Sequence, residues 1–151
     1  MPETTAAAIL TRPGHPDQIL LTRRNVPPFK GQWCIPGGHI DRFEPAREAA
    51  IREALEETGL AFDARFLGYF DEIIPDQGIH AVVLAFYGEG RGELILQEAE
   101  VQEMRWFTLQ EARTLPLAFD HRTILEAVSD QLSAFSKQPS ADSAQMPTAE
   151  S

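Results

Sequence analysis

The chain has 151 residues, 43% of them hydrophobic, and a formal charge of -10 at neutral pH. This length fits one compact domain, and the acidic balance argues against a general nucleic-acid binder, which needs a basic surface. Cys34 is the only cysteine, so no disulfide forms within the chain. No apolar run approaches the roughly 20 residues that cross a bilayer. We therefore expect a cytoplasmic protein with no membrane or nucleic-acid partner.

Short apolar runs over 4–11 and 18–23 predict two strands, separated by a proline- and glycine-containing turn. A loop over 25–31 and a short strand over 32–35 follow, and Pro36, Gly37 and Gly38 are expected to stop that strand. A helix is predicted over 45–58, where neither proline nor glycine interrupts the chain after Pro45, and Gly59 ends it.

The second half of the chain is predicted to contain strands over 66–74, 80–87, 93–97 and 104–108, then helices over 109–113 and 122–135. Strands interspersed with few helices favour an α/β fold, with a mixed sheet covered by helices on both faces. Residues 1–136 are expected to form a single domain. The segment 137–151 has almost nothing to bury and is expected to be a flexible tail.

The predicted helix carries an unusual cluster of acids. At about 100° per residue, Glu53, Glu56 and Glu57 fall on one face. Glu53 and Glu57 repel each other at the i,i+4 spacing, and the last turn of a helix favours cations over acids. A divalent cation with oxygen ligands would compensate for both faults.

Other side chains of this segment are expected to support the acids. Arg52 is spaced to reach Glu56 one turn later, and Glu44 at the helix start is a second candidate partner. Ala46, Ala49 and Ala50 lie on the acidic face, where their small size is expected to leave room for a ligand.

The spacing of these residues extends beyond the helix. Gly38 is followed after five residues by Glu44, and after seven more by the sequence REALEETGL over 52–60. This pattern resembles the Nudix box, the signature of the Nudix hydrolase superfamily, at all of its seven fixed positions. Members often have Glu and Gly where this chain has Asp41 and Phe43.

The resemblance implies an α/β/α sandwich and the hydrolysis of a nucleoside diphosphate linked to another moiety, assisted by Mg²⁺ or Mn²⁺. It implies that Glu53 and Glu57 are primary metal ligands and catalytic residues, and that Glu56 is a ligand or supports one. The Gly37 carbonyl is a further candidate ligand. Gly38, Glu44, Arg52 and Gly59 then support the site.

The general base and the substrate contacts are less defined. The resemblance implies that the base is either a glutamate of the box or an acid on a later loop. The later candidates are the acids before Trp106, namely Glu98, Glu100 and Glu103, of which we favour Glu100. Arg23 and Arg24 are candidates for phosphate contacts, although strand alternation sends them to opposite faces. Trp33 is a candidate for stacking on a base, and the alternative is a place in the core.

Three functions remain open from the sequence. The diphosphate-linked class, ADP-ribose or a nucleotide sugar, is favoured by Pro75, which lies about 15 residues beyond the box, as in ADP-ribose-hydrolysing members, and by Phe119-Asp120-His121. A pyrophosphohydrolase of nucleoside triphosphates is the alternative within enzymes. A nucleotide-sensing domain without catalysis is the alternative of another class. The expected partner is a small nucleotide diphosphate, and a homodimer is compatible with the sequence.

Overall fold

The fold is a mixed β-sheet between two helices, as seen in a computed structural model that describes residues 1–136. The predicted tail over 137–151 lies outside the described residues. One helix covers each face of the sheet, which confirms the α/β sandwich expected from the sequence. No helix within residues 1–136 is both long and apolar enough to span a membrane.

The sheet has seven strands in the order β3-β2-β1-β7-β6, with β4 added to β1 and β9 added to β2. β1 and β7 run parallel, and every other strand pair is antiparallel. The small strands β5 and β8 pair separately. The strands are β1 Glu3–Arg12, β2 His15–Arg24, β3 Trp33–Cys34, β4 Gly37–His39, β5 Leu60–Ala61, β6 Arg65–Ile74, β7 Ile79–Glu89, β8 Arg91–Gly92 and β9 Val101–Thr108; the helices are α1 Ala46–Thr58, α2 Leu109–Ala112 and α3 His121–Ser136.

The central strand β1 is buried on both faces. Ala6, Ala8 and Leu10 pack toward α1, whereas Ala7 and Ile9 pack toward α3. This alternation follows from the two-residue period of a strand. The two cores therefore share one strand, whose position fixes both helices.

Helix α1 packs closely on the sheet through alanines. Ala49, Ala50 and Ala54 are fully buried against β1 and β2. The expectation that the alanines leave room for a ligand is therefore wrong for Ala49 and Ala50, because their small size lets the helix approach the sheet instead. Gly59 ends the helix in the left-handed conformation, with φ 84.

Two predicted elements differ from the structure. The predicted strand over 32–35 ends before Pro36, as expected, but Gly37 then lies in a further strand, β4, because its backbone pairs with Ala7 of β1. The strand predicted over 93–97 does not form, and its three consecutive apolar residues, 94–96, stay partly exposed. The Ile95 N–H instead donates to the Thr58 carbonyl at the end of α1.

Candidate functional site

The centre of the candidate site is a pair of carboxyl groups one helical turn apart on α1, Glu53 and Glu57. The Glu53 side chain is 15% exposed. Strand β4 passes close to it, so that a Cβ atom added to Gly38 would lie 2.5 Å from Glu53 Oε2. A glycine at this position therefore allows the carboxyl group to lie against the backbone of the strand.

The Arg52 side chain, on the same helix, forms hydrogen bonds with three neighbouring acids. Its guanidinium donates to Glu44 Oε2 at 2.7 Å, to Glu53 Oε2 at 3.0 Å and to Glu56 Oε1 at 3.1 Å. The first of these contacts lowers the pKa of Glu44 to about 2. The predicted contacts of Arg52 with Glu44 and Glu56 are thus present, and they tie the loop before α1 to the helix.

The electrostatics of the pair centre on Glu57. Burial, then a hydrogen bond and charge repulsion from Glu53, raises the pKa of Glu57 well above its ordinary value. The Gly37 backbone acts in the opposite direction through a hydrogen bond, and Glu100 adds repulsion. Two half-buried acids held together disfavour the doubly ionised state unless a cation accompanies them.

A cavity of about 600 Å³ opens beside this pair, within the usual size range for small-molecule sites. Its walls include Gly37 and Gly38 of β4. Six acids also line it: Glu3, Asp41, Glu53, Glu57, Glu72 and Glu100. Among the described residues, Arg24 is the only arginine or lysine in the lining. An anionic ligand therefore needs accompanying cations to enter.

The third acid predicted for the cluster lies elsewhere. The Glu56 side chain is 59% exposed, pairs with Arg52 and does not line the cavity. Within residues 1–136, no three His, Cys, Asp or Glu side chains converge closely enough to form a metal-binding group. The structure brings Glu53 and Glu57 together and leaves Glu56 outside the pair.

Of the three later acids proposed as general base, Glu100 alone lines the cavity, as the box glutamates Glu53 and Glu57 also do. It lies on an exposed turn, which is held to the neighbouring loop by a hydrogen bond from the Asn25 N–H to the Glu100 carbonyl. Glu98 does not line the cavity. Glu103 lies on β9 and pairs with Arg23 of β2 and with Arg105 of its own strand.

The two arginines at the end of β2 diverge. Arg24 lines the cavity and donates to the carbonyls of Pro27 and Pro28, while its guanidinium lies 4.8 Å from the centre of the Phe119 ring. Arg23 turns away from the cavity, toward Glu103 and the Gly31 carbonyl. The expectation that they face opposite ways agrees with this arrangement.

Trp33 lies in the core rather than in the cavity wall. It is 6% exposed and packs edge-to-face on Phe107, with ring centroids 4.9 Å apart. The proposed stacking of Trp33 on a base is therefore not available in this structure, because protein atoms already cover the ring.

The sequence model of the NUDIX domain family matches residues 1–128 of the chain. The chain belongs to the NUDIX family. Its relatives include an ADP-ribose pyrophosphatase of Methanocaldococcus jannaschii, 34% identical over 73% of this chain. The chain spans 64% of the length of that protein.

Solved NUDIX structures resemble the whole fold. A MutT NUDIX hydrolase from Burkholderia pseudomallei has a TM-score of 0.77 and 31% identity, covering 85% of this chain and 98% of that one. The NUDIX domain of Shewanella oneidensis NrtR, determined in complex with ADP ribose, has a TM-score of 0.76 and 26% identity, covering 87% and 89%.

NUDIX proteins generally use divalent cations, and the residues of this site fit one. Glu53 and Glu57 offer hard oxygen ligands, and their mutual repulsion in a half-buried position is relieved by positive charge. The glycine at position 38 keeps the space beside Glu53 free of a side chain. Glu53 and Glu57 would hold the cation.

Sequence reasoning missed Glu72 at this NUDIX cavity and its proximity to His121. Glu72 of β6 and His121 of α3 line the cavity together, and both are buried. Strand alternation turns Glu72 inward between the exposed residues Asp71 and Ile73, but the sequence alone does not mark which face of the strand is exposed. The partner could not be found from the sequence, since the two residues meet only in the folded chain.

Proposed function

We propose that the chain is a hydrolase that cleaves the pyrophosphate linkage of a nucleoside diphosphate joined to another moiety, with ADP-ribose as the representative substrate. The observation that carries this proposal is the half-buried carboxyl pair Glu53 and Glu57 on the wall of an acidic cavity. The M. jannaschii relative and the ADP ribose complex of NrtR support the substrate class.

In this mechanism Glu53 and Glu57 would hold Mg²⁺ or Mn²⁺, with the Gly37 carbonyl as a candidate further ligand. A bound divalent cation supplies charge neutralisation at the phosphates and lowers the pKa of an attacking water. Arg52 orients Glu53 through the hydrogen bond from its Nη1 atom. The site thus keeps the ligand geometry fixed before substrate binds.

We assign proton removal from water to a carboxylate oxygen of Glu100. Its place in the cavity lining and its repulsion of Glu57 put it near the metal ligands. Arg24, in the same lining, is the side chain that contacts a phosphate oxygen. One arginine matches a diphosphate better than a triphosphate, which brings additional negative charge into an acidic cavity.

The test is a side-by-side assay of ADP-ribose, ADP-glucose, GDP-mannose, dGTP and 8-oxo-dGTP with Mg²⁺ and with Mn²⁺. We expect the highest kcat/KM for a diphosphate-linked compound. A tenfold preference for either triphosphate would reject the substrate class and keep the metal chemistry. Binding of ADP-ribose without turnover of any compound would instead indicate a sensing domain.

A further inference from the structure

A second polar pair lies in the wall of the cavity, apart from the metal-binding acids. Glu72 on β6 is 6% exposed, and His121, the first residue of α3, is 8% exposed. Glu72 Oε2 lies 3.9 Å from His121 Nε2. This distance is too long for a hydrogen bond, so neither group satisfies the other.

The protonation of His121 follows from its backbone contact. The Ile35 N–H donates to His121 Nδ1 at 3.0 Å, so Nδ1 carries no proton and Nε2 carries it. Burial lowers the pKa of His121 to about 3, which keeps the ring neutral. His121 therefore presents one N–H donor, at Nε2.

Glu72 presents an acceptor beside that donor. Its Oε2 atom accepts a single hydrogen bond, from the Asp120 N–H at 3.3 Å. Within residues 1–136, Glu72 Oε1 has no hydrogen-bond partner, although the side chain lines the cavity. Buried polar atoms without partners are rare in folded proteins and call for an explanation.

The surroundings of the pair are largely apolar. Ile79, Val83 and Phe119 line the same cavity. The Phe119 ring lies 5.4 Å from the His121 ring. A ligand that fits this wall combines a flat apolar body with an edge that carries a donor next to an acceptor, which describes a nucleobase.

We propose that Glu72 and His121 bind the amino-bearing edge of a purine, which is adenine in the substrate proposed above, so that this inference rests on the proposed function. The exocyclic amino group donates to Glu72 Oε1, and His121 Nε2–H donates to the adjacent ring nitrogen. Hypoxanthine presents the reverse order, a carbonyl oxygen beside an N–H, and thus places acceptor against acceptor and donor against donor.

The test compares the equilibrium binding of AMP and IMP, followed by chemical shifts of the labelled protein with Mg²⁺ present. Neither ligand contains a pyrophosphate, so the measurement does not depend on hydrolysis. The variants are Glu72→Met, which keeps the side-chain size and removes the acceptor, and Glu126→Met as the control on the exposed face of α3. Because Oε1 lacks a partner, the Glu72→Met protein is expected to fold, and its unfolding midpoint checks this.

We expect AMP to bind the wild type and the control at least about 5-fold more tightly than IMP, and the ratio to fall below about 2 in Glu72→Met. Equal binding of AMP and IMP to the wild type, binding of neither, or an unchanged ratio in Glu72→Met would overturn the proposal. AMP preference without hydrolysis of ADP-ribose would keep this subsite and reject the proposed function. Hydrolysis of ADP-ribose without AMP preference would keep the proposed function and reject this subsite.

Discussion

At the scale of single residues, Glu57 is half-buried beside Glu53, and its environment raises the pKa of its carboxyl group well above the ordinary value. Replacing it by Gln removes one ionisable ligand while preserving shape, so we expect kcat on ADP-ribose to fall by at least about 100-fold with the fold intact. Glu48→Gln, on the exposed side of the same helix, is the matched control and should keep its activity. Undiminished turnover in Glu57→Gln, or in excess chelator, would contradict the mechanism.

The buried His121 makes a pH-dependent contribution to stability. Its pKa falls from 6.5 to about 3 on folding, so between these values the unfolded chain binds more protons and the free energy of unfolding decreases as pH falls. Glu72, whose pKa burial raises, acts in the opposite direction, and Arg24 and Asp120 also face this region.

A comparison with His121→Gln isolates this effect, because the other groups are present in both proteins. Between pH 7 and pH 5 the wild type should lose about 1–2 kcal/mol more unfolding free energy than the variant. Urea unfolding at several pH values measures the difference. Parallel pH profiles would show that the imidazole protonates in the folded state.

The residues of the box could be predicted from the sequence because their spacing is local. Glu53 and Glu57 lie one turn apart on any helix, and Arg52 reaches Glu56 for the same reason. The proximity of Glu72 to His121 could not be predicted, since β6 and α3 come together only in the folded chain. The position of Trp33 in the core likewise depends on Phe107 of a distant strand.

At the scale of elements, Arg52 joins α1 to the loop that precedes it. Arg52→Lys keeps the charge but loses the fork geometry that contacts Glu44 at two atoms, so we expect about 1 kcal/mol less unfolding free energy and a reduced kcat. Arg47→Lys on the same helix is the control, because Arg47 pairs with the exposed Asp63. Equal losses in both variants would indicate a general effect of replacing arginine by lysine on this helix.

Helix α1 was predictable because its 13 residues contain no proline or glycine, whereas β4 was not. Its three residues form a strand because they pair with β1, and no local sequence pattern predicts this pairing. The segment 93–97 has strand composition, but it joins no strand of the described residues, and its Ile95 N–H donates to the Thr58 carbonyl instead. Phe43 adopts φ 65, the left-handed conformation for which the family often uses glycine, and the turn into the helix is nevertheless retained.

At the scale of the whole molecule, cation binding should raise thermal stability, because the cation binds the folded site and offsets the repulsion between Glu53 and Glu57. Saturating Mg²⁺ or Mn²⁺ should raise Tm by about 5 °C or more. In chelator, Glu53→Gln/Glu57→Gln should be at least as stable as the wild type and should lose most of the response. The double variant Glu48→Gln/Glu126→Gln controls for the loss of two negative charges. An equal rise of Tm with the cation in the wild type and both double variants would place the cation elsewhere.

The position of β1 in the sheet also bears on how the chain folds. Its hairpin partner β2 follows at once, but the parallel partner β7 pairs Glu3 with Ala81 and Thr11 with Glu89. During synthesis one edge of the apolar central strand β1 therefore stays unpaired until β7, and with it more than half of the chain, has left the ribosome. Such non-local pairing slows folding and exposes an edge that can pair with other chains. The strand that joins the two cores is thus also the segment most vulnerable to aggregation before the domain is complete.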